Sequence, residues 1–316
     1  MISSQNRDPS RISANGLTVR FGKVLALDHF TINIPRGIVG LLGPNSAGKS
    51  TFIKTMLGLV NPQSGEMLID NVNPRTDITT VRDNIGYMPE NDCLIDEMNP
   101  VELVSYMGRI SGMEKNDSIQ RTHEILDFVG LGEERYRKIG SYSTGMKQKA
   151  KLAQAIVHDP NILFLDEPTN GLDPQGRDEM LDLIKKIGKS GKTLLVSSHI
   201  LHEIEQVSSY VIIINHGKLV KDGPTQELMN PDKTRFRLKI RGETSAIDRF
   251  LHSIETRVEV ISRIDESNQL SLSIICGKGN SFLFASAREH GIQIRHFGPD
   301  TLTLEDVFVQ TFQGGG

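Results

Sequence analysis

The run Gly43-Pro44-Asn45-Ser46-Ala47-Gly48-Lys49-Ser50-Thr51 sets two glycines, a lysine and two hydroxyls at the G-x-x-x-x-G-K-[ST] spacing of a phosphate cradle. Glycines let successive backbone N–H groups turn toward one anion, and a helix opening at Lys49 adds the partial positive charge of its N-terminus. Lys49 reaches outer phosphate oxygens, and the Ser50 hydroxyl is an oxygen ligand suited to Mg²⁺. Further along, Ile162-Leu163-Phe164-Leu165 ends in Asp166-Glu167. A buried strand delivers such acids at its C-terminal end, where α/β proteins hold their ligands. Asp166 is placed for a metal shell and Glu167 to accept a proton from an attacking water. Alone, the pair equally reads as a helix-capping acid. His199 follows a second apolar run at 192–198 and suits a phosphate contact or a structural hydrogen bond; the cradle on the same sheet edge favours phosphate. Asp173 in Gly171-Leu172-Asp173-Pro174 reads by itself as a turn aspartate. Tyr142-Ser143-Thr144-Gly145-Met146-Lys147-Gln148 opens a helix with Ala150, Ala153, Ile156 and Val157 inward, a capped end that can attract an anion.

These groups need a scaffold that brings strand ends together. From Ile12 to Met229 short apolar runs alternate with helical patterns, the rhythm of a mostly parallel α/β sheet. Runs at 37–42, 161–165, 192–197 and 210–214 read as buried strands, and Ile12–Phe21 with Val24–Ile34 as antiparallel ones. The cradle follows the strand ending at Leu42 and opens a helix over 49–59. A short strand at 84–88 precedes Pro89-Glu90. Between 99 and 140 the pattern turns helical. Asn99, Pro100 and Glu102 form a capping-box start, with Leu103, Met107 and Ile110 on one face, and a second helix runs from Asp117 to Gly130. Residues 1–11 read as a flexible polar tail. A boundary is expected near Asn230-Pro231-Asp232. Beyond it the order is β-α-β-β-α-β, the ferredoxin-like arrangement, with Thr303 and Asp306 capping a last helix through Phe308 and Phe312.

The chain's 316 residues suit about two domains. Hydrophobic residues are 37% and charged residues 24%, enough apolar material for a real core. The net charge of −3 leaves no nucleic-acid footprint, and the absence of Trp argues against a base-stacking platform. Cys93 and Cys276 cannot make a disulfide framework, nor a cysteine-based zinc site without several histidines nearby, which suits a reducing cytoplasm. The polar start lacks the apolar core of a signal peptide, and no apolar run approaches the ~20 residues of a membrane span. A membrane role is therefore expected to be peripheral, through a partner.

Taken in order and spacing, Gly43–Thr51, Tyr142–Gln148, Ile162–Glu167, Gly171–Asp173 and His199 resemble the Walker A, signature, Walker B, D-loop and H-loop motifs of the ATP-binding cassette (ABC) ATPases. The resemblance covers 12–229. It implies a P-loop α/β domain of mixed sheet plus helical subdomain, followed here by the small ferredoxin-like α+β domain. It also implies ATP and Mg²⁺ as cofactors and a homodimer or cassette dimer with two ATP at the interface. Each ATP would be held by the Walker motifs of one subunit and by Ser143 and Gly145 of the other, with Asp173 in the D-loop. Phe21 sits where the family stacks an aromatic on adenine; otherwise it reads as a core residue of a hairpin.

Two departures narrow the resemblance. The signature reads Tyr-Ser-Thr-Gly-Met rather than Leu-Ser-Gly-Gly-Gln, and Glu90 stands where the family has Gln. Glu90 can still offer an oxygen to Mg²⁺, but it adds negative charge beside the γ-phosphate. Both departures, with Leu304-Glu305-Asp306-Val307-Phe308, resemble the ATP-binding subunits of ABC-2-type exporters. That implies a polytopic membrane permease as partner, docked on the helical insertion and the loop 90–97 at the inner face of the membrane, with no nucleic acid involved. The alternatives are an importer ATPase, a soluble cassette ATPase without a transport role, and a non-hydrolysing regulatory subunit; the intact Lys49, Asp166, Glu167 and His199 argue against the last.

Overall fold

The computed structural model describes residues 11–229, 235–266, 269–276, 280–300 and 303–313. The polar tail before Arg11 and the boundary expected at 230–232 lie outside the described residues, as does the side chain of Phe312. The chain forms two compact units, one running to Thr225 and taking in the chain from Phe308, the other spanning Gln226–Val307.

The first unit opens with strands β1 (Ile12–Phe21) and β2 (Val24–Ile34), then β3 (Ile38–Leu42), helix α1 (Lys49–Met56) and strand β4 (Ser64–Ile69). Alternating burial along β1, from Ile12 through Ala14, Leu17 and Val19, marks a strand with one face on the core. These strands make an antiparallel sheet in the order β2-β1-β4. Helix α1 stops at Met56, short of residue 59, because Gly58 adopts φ 66°. Its neighbour's N–H then returns to Lys54 O (2.9 Å), which closes the last turn. Phe52 of α1 is fully buried and lies 5.0 Å from the ring of Phe30. Phe52→Ala should cost about 3–5 kcal/mol of folding free energy, read by denaturant unfolding.

Next come α2 (Ile78–Asp83), β5 (Ile85–Met88), α3 (Pro100–Ile110), α4 (Lys115–Phe128) and α5 (Thr144–Ile156). The capping box at α3 is formed: Glu102 N donates to Asn99 Oδ1 (3.0 Å) and Asn99 N to Glu102 Oε2 (2.9 Å). Helix α4 starts at Lys115 rather than Asp117. The buried Ser118 donates to Ser105 O (2.7 Å), which needs a turn of helix before it. Asp117 then sits in the first turn, where a carboxylate suits the helix dipole.

The unit continues with β6 (Ile162–Asp166), α6 (Pro174–Lys189), β7 (Thr193–Ser198), α7 (Leu201–Val207), β8 (Tyr210–Asn215) and β9 (Lys218–Pro224), and the boundary between the units falls at the start of α8 (Thr225–Met229). A six-stranded sheet has the order β5-β6-β7-β3-β8-β9, parallel except for β9. Every residue of β6 and β7 is buried, as unbroken apolar runs covered on both faces require. That strand order sets the loops after β5, β6, β7 and β3 side by side at the C-terminal edge. Those loops carry Glu90, Glu167, His199 and Gly43.

In the second unit β10 (Arg235–Arg241), α9 (Thr244–Ile254), β11 (Val258–Glu266), β12 (Gln269–Cys276), α10 (Ser281–Glu289) and β13 (Gln293–Pro299) build an antiparallel sheet ordered β11-β12-β10-β13. This is the ferredoxin-like order. Phe250, Ile254, Leu283 and Ala287 from the two helices pack on Leu238, Leu272 and Ile274 of the sheet. Helix α11 (Leu304–Gln313) follows, capped as Thr303 N donates to Asp306 Oδ2 (2.9 Å) and Asp306 N to Thr303 Oγ1 (3.1 Å).

Candidate nucleotide site

The loop after β3 and the start of α1 need glycine for steric reasons. Gly48 precedes α1 at φ 110°, and a Cβ there would stand 2.6 Å from Ala26 O; one at Gly43 would stand 2.3 Å from Ile214 O. Any side chain would push the cradle off the strands behind it. A cleft of about 660 Å³ opens over this loop. Its floor is Pro44, Asn45, Ser46, Ala47, Gly48, Lys49, Ser50 and Thr51; Phe21 stands on one wall, and Glu90, Glu167 and His199 on others. Phe21 is 51% exposed, so it is a surface aromatic facing the cleft rather than a core residue of the hairpin.

Lys49 is buried. Its Nζ donates to Gly43 O (2.8 Å) and Pro44 O (3.4 Å) and lies 3.5 Å from Glu167 Oε1. An ammonium parked on carbonyls is held ready for a stronger acceptor, and phosphate oxygens are such acceptors. Glu167 Oε2 is 2.7 Å from His199 Nδ1. The Glu167 backbone sits at φ 50°, a conformation that non-glycine residues hold only under constraint. The constraint is Ser197. Paired in register with Asp166 across β6 and β7, its hydroxyl donates to Asp166 Oδ1 (2.5 Å) and accepts from Glu167 N (3.0 Å). One hydroxyl thus orients both acids. On β5, burial and the nearby Asp166 charge push the Tyr87 phenol up to about 12, so it stays neutral beside them.

Among the described residues no group of three or more His, Cys, Asp or Glu is arranged to hold a metal ion. Ser50, Asp166 and Glu90 are all oxygen donors, the set Mg²⁺ prefers when phosphates and water supply its other ligands. Ser197 occupies only one carboxylate oxygen of Asp166, so the donor set fits a Mg²⁺ arriving with a nucleotide.

Of the expected site residues, Gly43, Asp166, Ser143, Gly145 and Asp173 do not line this cleft, Asp166 being buried next to Glu167. Ser143 is the exposed N-cap of α5 and accepts from Met146 N (3.3 Å). Asp173 is the exposed N-cap of α6 and accepts from Gly176 N (3.0 Å). One chain therefore assembles the cradle and the acids but leaves the signature and D-loop facing outward. Asn170 also lines the cleft and went unread in the sequence, as did Ser197. An amide three residues past the acidic pair was the available signal for Asn170; Ser197 depends on strand register and had none. Among the described residues no helix is long and apolar enough to cross a membrane.

Comparison with known proteins gives a consistent result. The family described as ABC transporter matches residues 27–170. The bacitracin transport ATP-binding protein BcrA of Bacillus licheniformis is 33% identical over 315 residues, covering 96% of this chain and 98% of that one. The daunorubicin/doxorubicin resistance ATP-binding protein DrrA of Streptomyces peucetius is 31% identical over 309 residues, covering 96% and 93%. Among solved structures, an ATP-binding subunit of an ABC transporter superposes with TM-score 0.63 at 26% identity, covering 70% of this chain and 92% of that one. The dimeric post-hydrolysis state of the ATP-binding cassette MJ0796 bound to ADP and Pi gives 0.62 at 25%, covering 68% and 98%.

Proposed function

The chain belongs to the ABC transporter family, and from that premise we propose that it is the ATP-hydrolysing subunit that powers an exporter through a separate polytopic permease. The observation that carries the chemistry is the Glu167 carboxylate, buried at the cleft and oriented by His199 on one oxygen and Lys49 near the other. ATP lies with its phosphates on the P-loop amides and Lys49, and its adenine against Phe21. Glu167 takes the proton of a water aimed at the γ-phosphorus, and His199 keeps the carboxylate aimed and contacts the γ-phosphate. Ser50 and Asp166, with Glu90, would hold Mg²⁺, which would offset the charge on the phosphates.

Ser143 and Gly145 face outward at the start of α5, which supports a second copy of the chain supplying them to this ATP, with Asp173 beside them. The permease docks on α3, α4 and the loop 90–97, where Tyr106 and Ile110 are exposed apolar residues. On this reading the protein works at the inner face of the cell membrane, held there by the permease. The relatives matched through the second unit are named for bacitracin transport and for daunorubicin/doxorubicin resistance, which favours export over import or a soluble role.

Phosphate release from ATP is the test. The full chain should hydrolyse ATP, and Lys49→Ala should lose ATP binding by roughly 10–100-fold, the worth of a hydrogen bond to a charged group. Wild-type protein that binds ATP without releasing phosphate would contradict the reading.

A further inference from the structure

Helix α5 carries two lysines one turn apart, Lys147 and Lys151, and both grip the segment that follows β5. Lys151 is only 4% exposed. Its Nζ donates to three successive carbonyls, Pro89 O (2.8 Å), Glu90 O (3.0 Å) and Asn91 O (3.5 Å). Lys147 reaches the carboxylates of Asp92 (3.0 Å) and Asp96 (3.1 Å) on the same segment. Just before α5, Gly140 N donates to Asp96 O (3.0 Å) and Ile139 N to Met98 O (2.9 Å), so the segment is pinned along its length.

A buried ammonium is costly to desolvate, and burial holds the Lys151 pKa below its ordinary value. A methionine would fill much of the same space without that cost. What the lysine adds is direction, since three carbonyls of one loop turn to a single point. The loop so held presents Glu90 to the cleft, and the helix that holds it begins at Ser143.

We propose that Lys151, assisted by Lys147, is a positioning residue that locks the Glu90 loop to the signature helix, so that the place of Glu90 in the cleft and the presentation of Ser143 are set together. The proposal rests on the nucleotide-site reading above and deepens it. Lys151 does not touch the nucleotide; it acts through the Glu90 carboxylate at the γ-phosphate end.

The test is a double-mutant cycle on binding rather than on turnover. Affinities for ATP and ADP are measured by calorimetry on the full chain in a Glu167→Gln background, with Mg²⁺ and with EDTA, for Lys151→Met, Glu90→Ala and both together. With Mg²⁺, Lys151→Met should weaken ATP by about tenfold and ADP by less than about twofold, and adding it to Glu90→Ala should cause no further loss. With EDTA the difference should vanish. Additive losses in the double variant, or equal losses for ATP and ADP, would make Lys151 a structural brace and overturn the proposal. A parent chain that binds no ATP in any condition would instead bring down the nucleotide-site reading itself. Should Lys151→Met fold poorly, Lys147→Met carries the test. It should shift ATP affinity in the same direction by less, and speed hydrogen exchange at the amides of 90–96. Unchanged exchange there would contradict the clasp.

Discussion

Glu167 and Asp300 are both buried acids beside cations, one in each unit of the chain, and their surroundings differ in what they leave free. Asp300 accepts from Arg235 Nε (3.0 Å) on one oxygen and from Arg237 Nε (2.9 Å) on the other, and the Ser273 hydroxyl also donates to it. Arg237 adds a further contact at 2.8 Å. These partners sit on β10 and β12, so the buried carboxylate knits the sheet. Glu167 has Lys49 at 3.5 Å, but that ammonium is shared with two carbonyls, and the site lies in a cleft of about 660 Å³. A saturated buried acid is structural. One with a cation shared with two carbonyls, a histidine and a constrained backbone at the mouth of a cleft is poised for chemistry.

The comparison can be broken at either end. The largest expected effect is at Glu167. Glu167→Gln should lower ATP turnover by roughly 10²–10⁴-fold, the usual worth of a general base, while ATP still binds. Steady-state phosphate release beside equilibrium binding separates the two. Asp300→Ala comes next. Removing the carboxylate that Arg235, Arg237 and Ser273 share should destabilise the second unit by about 1–3 kcal/mol, seen as an earlier transition in denaturant, with nucleotide affinity at the first unit unchanged. Loss of both together would contradict a purely structural role for Asp300. Phe21→Ala should weaken ATP and ADP alike by about 1–3 kcal/mol, the range for a base stacked on an aromatic ring, in a nucleotide titration. A selective loss of ATP would take Phe21 off the adenine.

The smallest effect is one of pH. Burial alone would raise the Asp300 pKa, but the Ser273 and Arg235 hydrogen bonds and the arginine charges outweigh it and hold the group below its ordinary 3.8. A carboxyl depressed in the folded state contributes stability that is present above pH 3.8 and lost as pH falls through the folded value. Denaturant midpoints of the second unit should therefore fall on acidification below pH 3.8, and the fall should disappear in Asp300→Ala.

The first unit's half of this contrast is legible in the sequence, and the second unit's half is not. The cradle is local: Gly43 to Thr51 carries its own spacing, and an apolar strand before it and a helix after it suffice to place it. The acids at the end of Ile162–Asp166 and the capping residues Asn99 and Glu102 are local in the same way. The β-α-β-β-α-β order of the second unit followed from alternating runs. What stayed hidden depends on contacts between distant segments. Ser197 matters because β6 and β7 pair with Asp166 opposite it, and Lys151 because α5 packs beside the loop after β5; in sequence both look like ordinary polar residues. Asp300 gave no sign, since its two arginines lie more than sixty residues away. Helix ends shifted where a single interaction decided them, as Gly58 ended α1 early and Ser118 drew α4 back to Lys115.

The central claim is that one chain supplies the cradle and Glu167 while a second copy supplies Ser143 and Gly145. Light scattering on Glu167→Gln with and without MgATP tests it most directly, with Ser143→Arg added as a control. The account predicts a monomer that becomes a dimer holding two ATP, and a return to monomer when Ser143 is replaced. A Glu167→Gln chain that binds ATP and stays monomeric, or a dimer indifferent to Ser143→Arg, would contradict it.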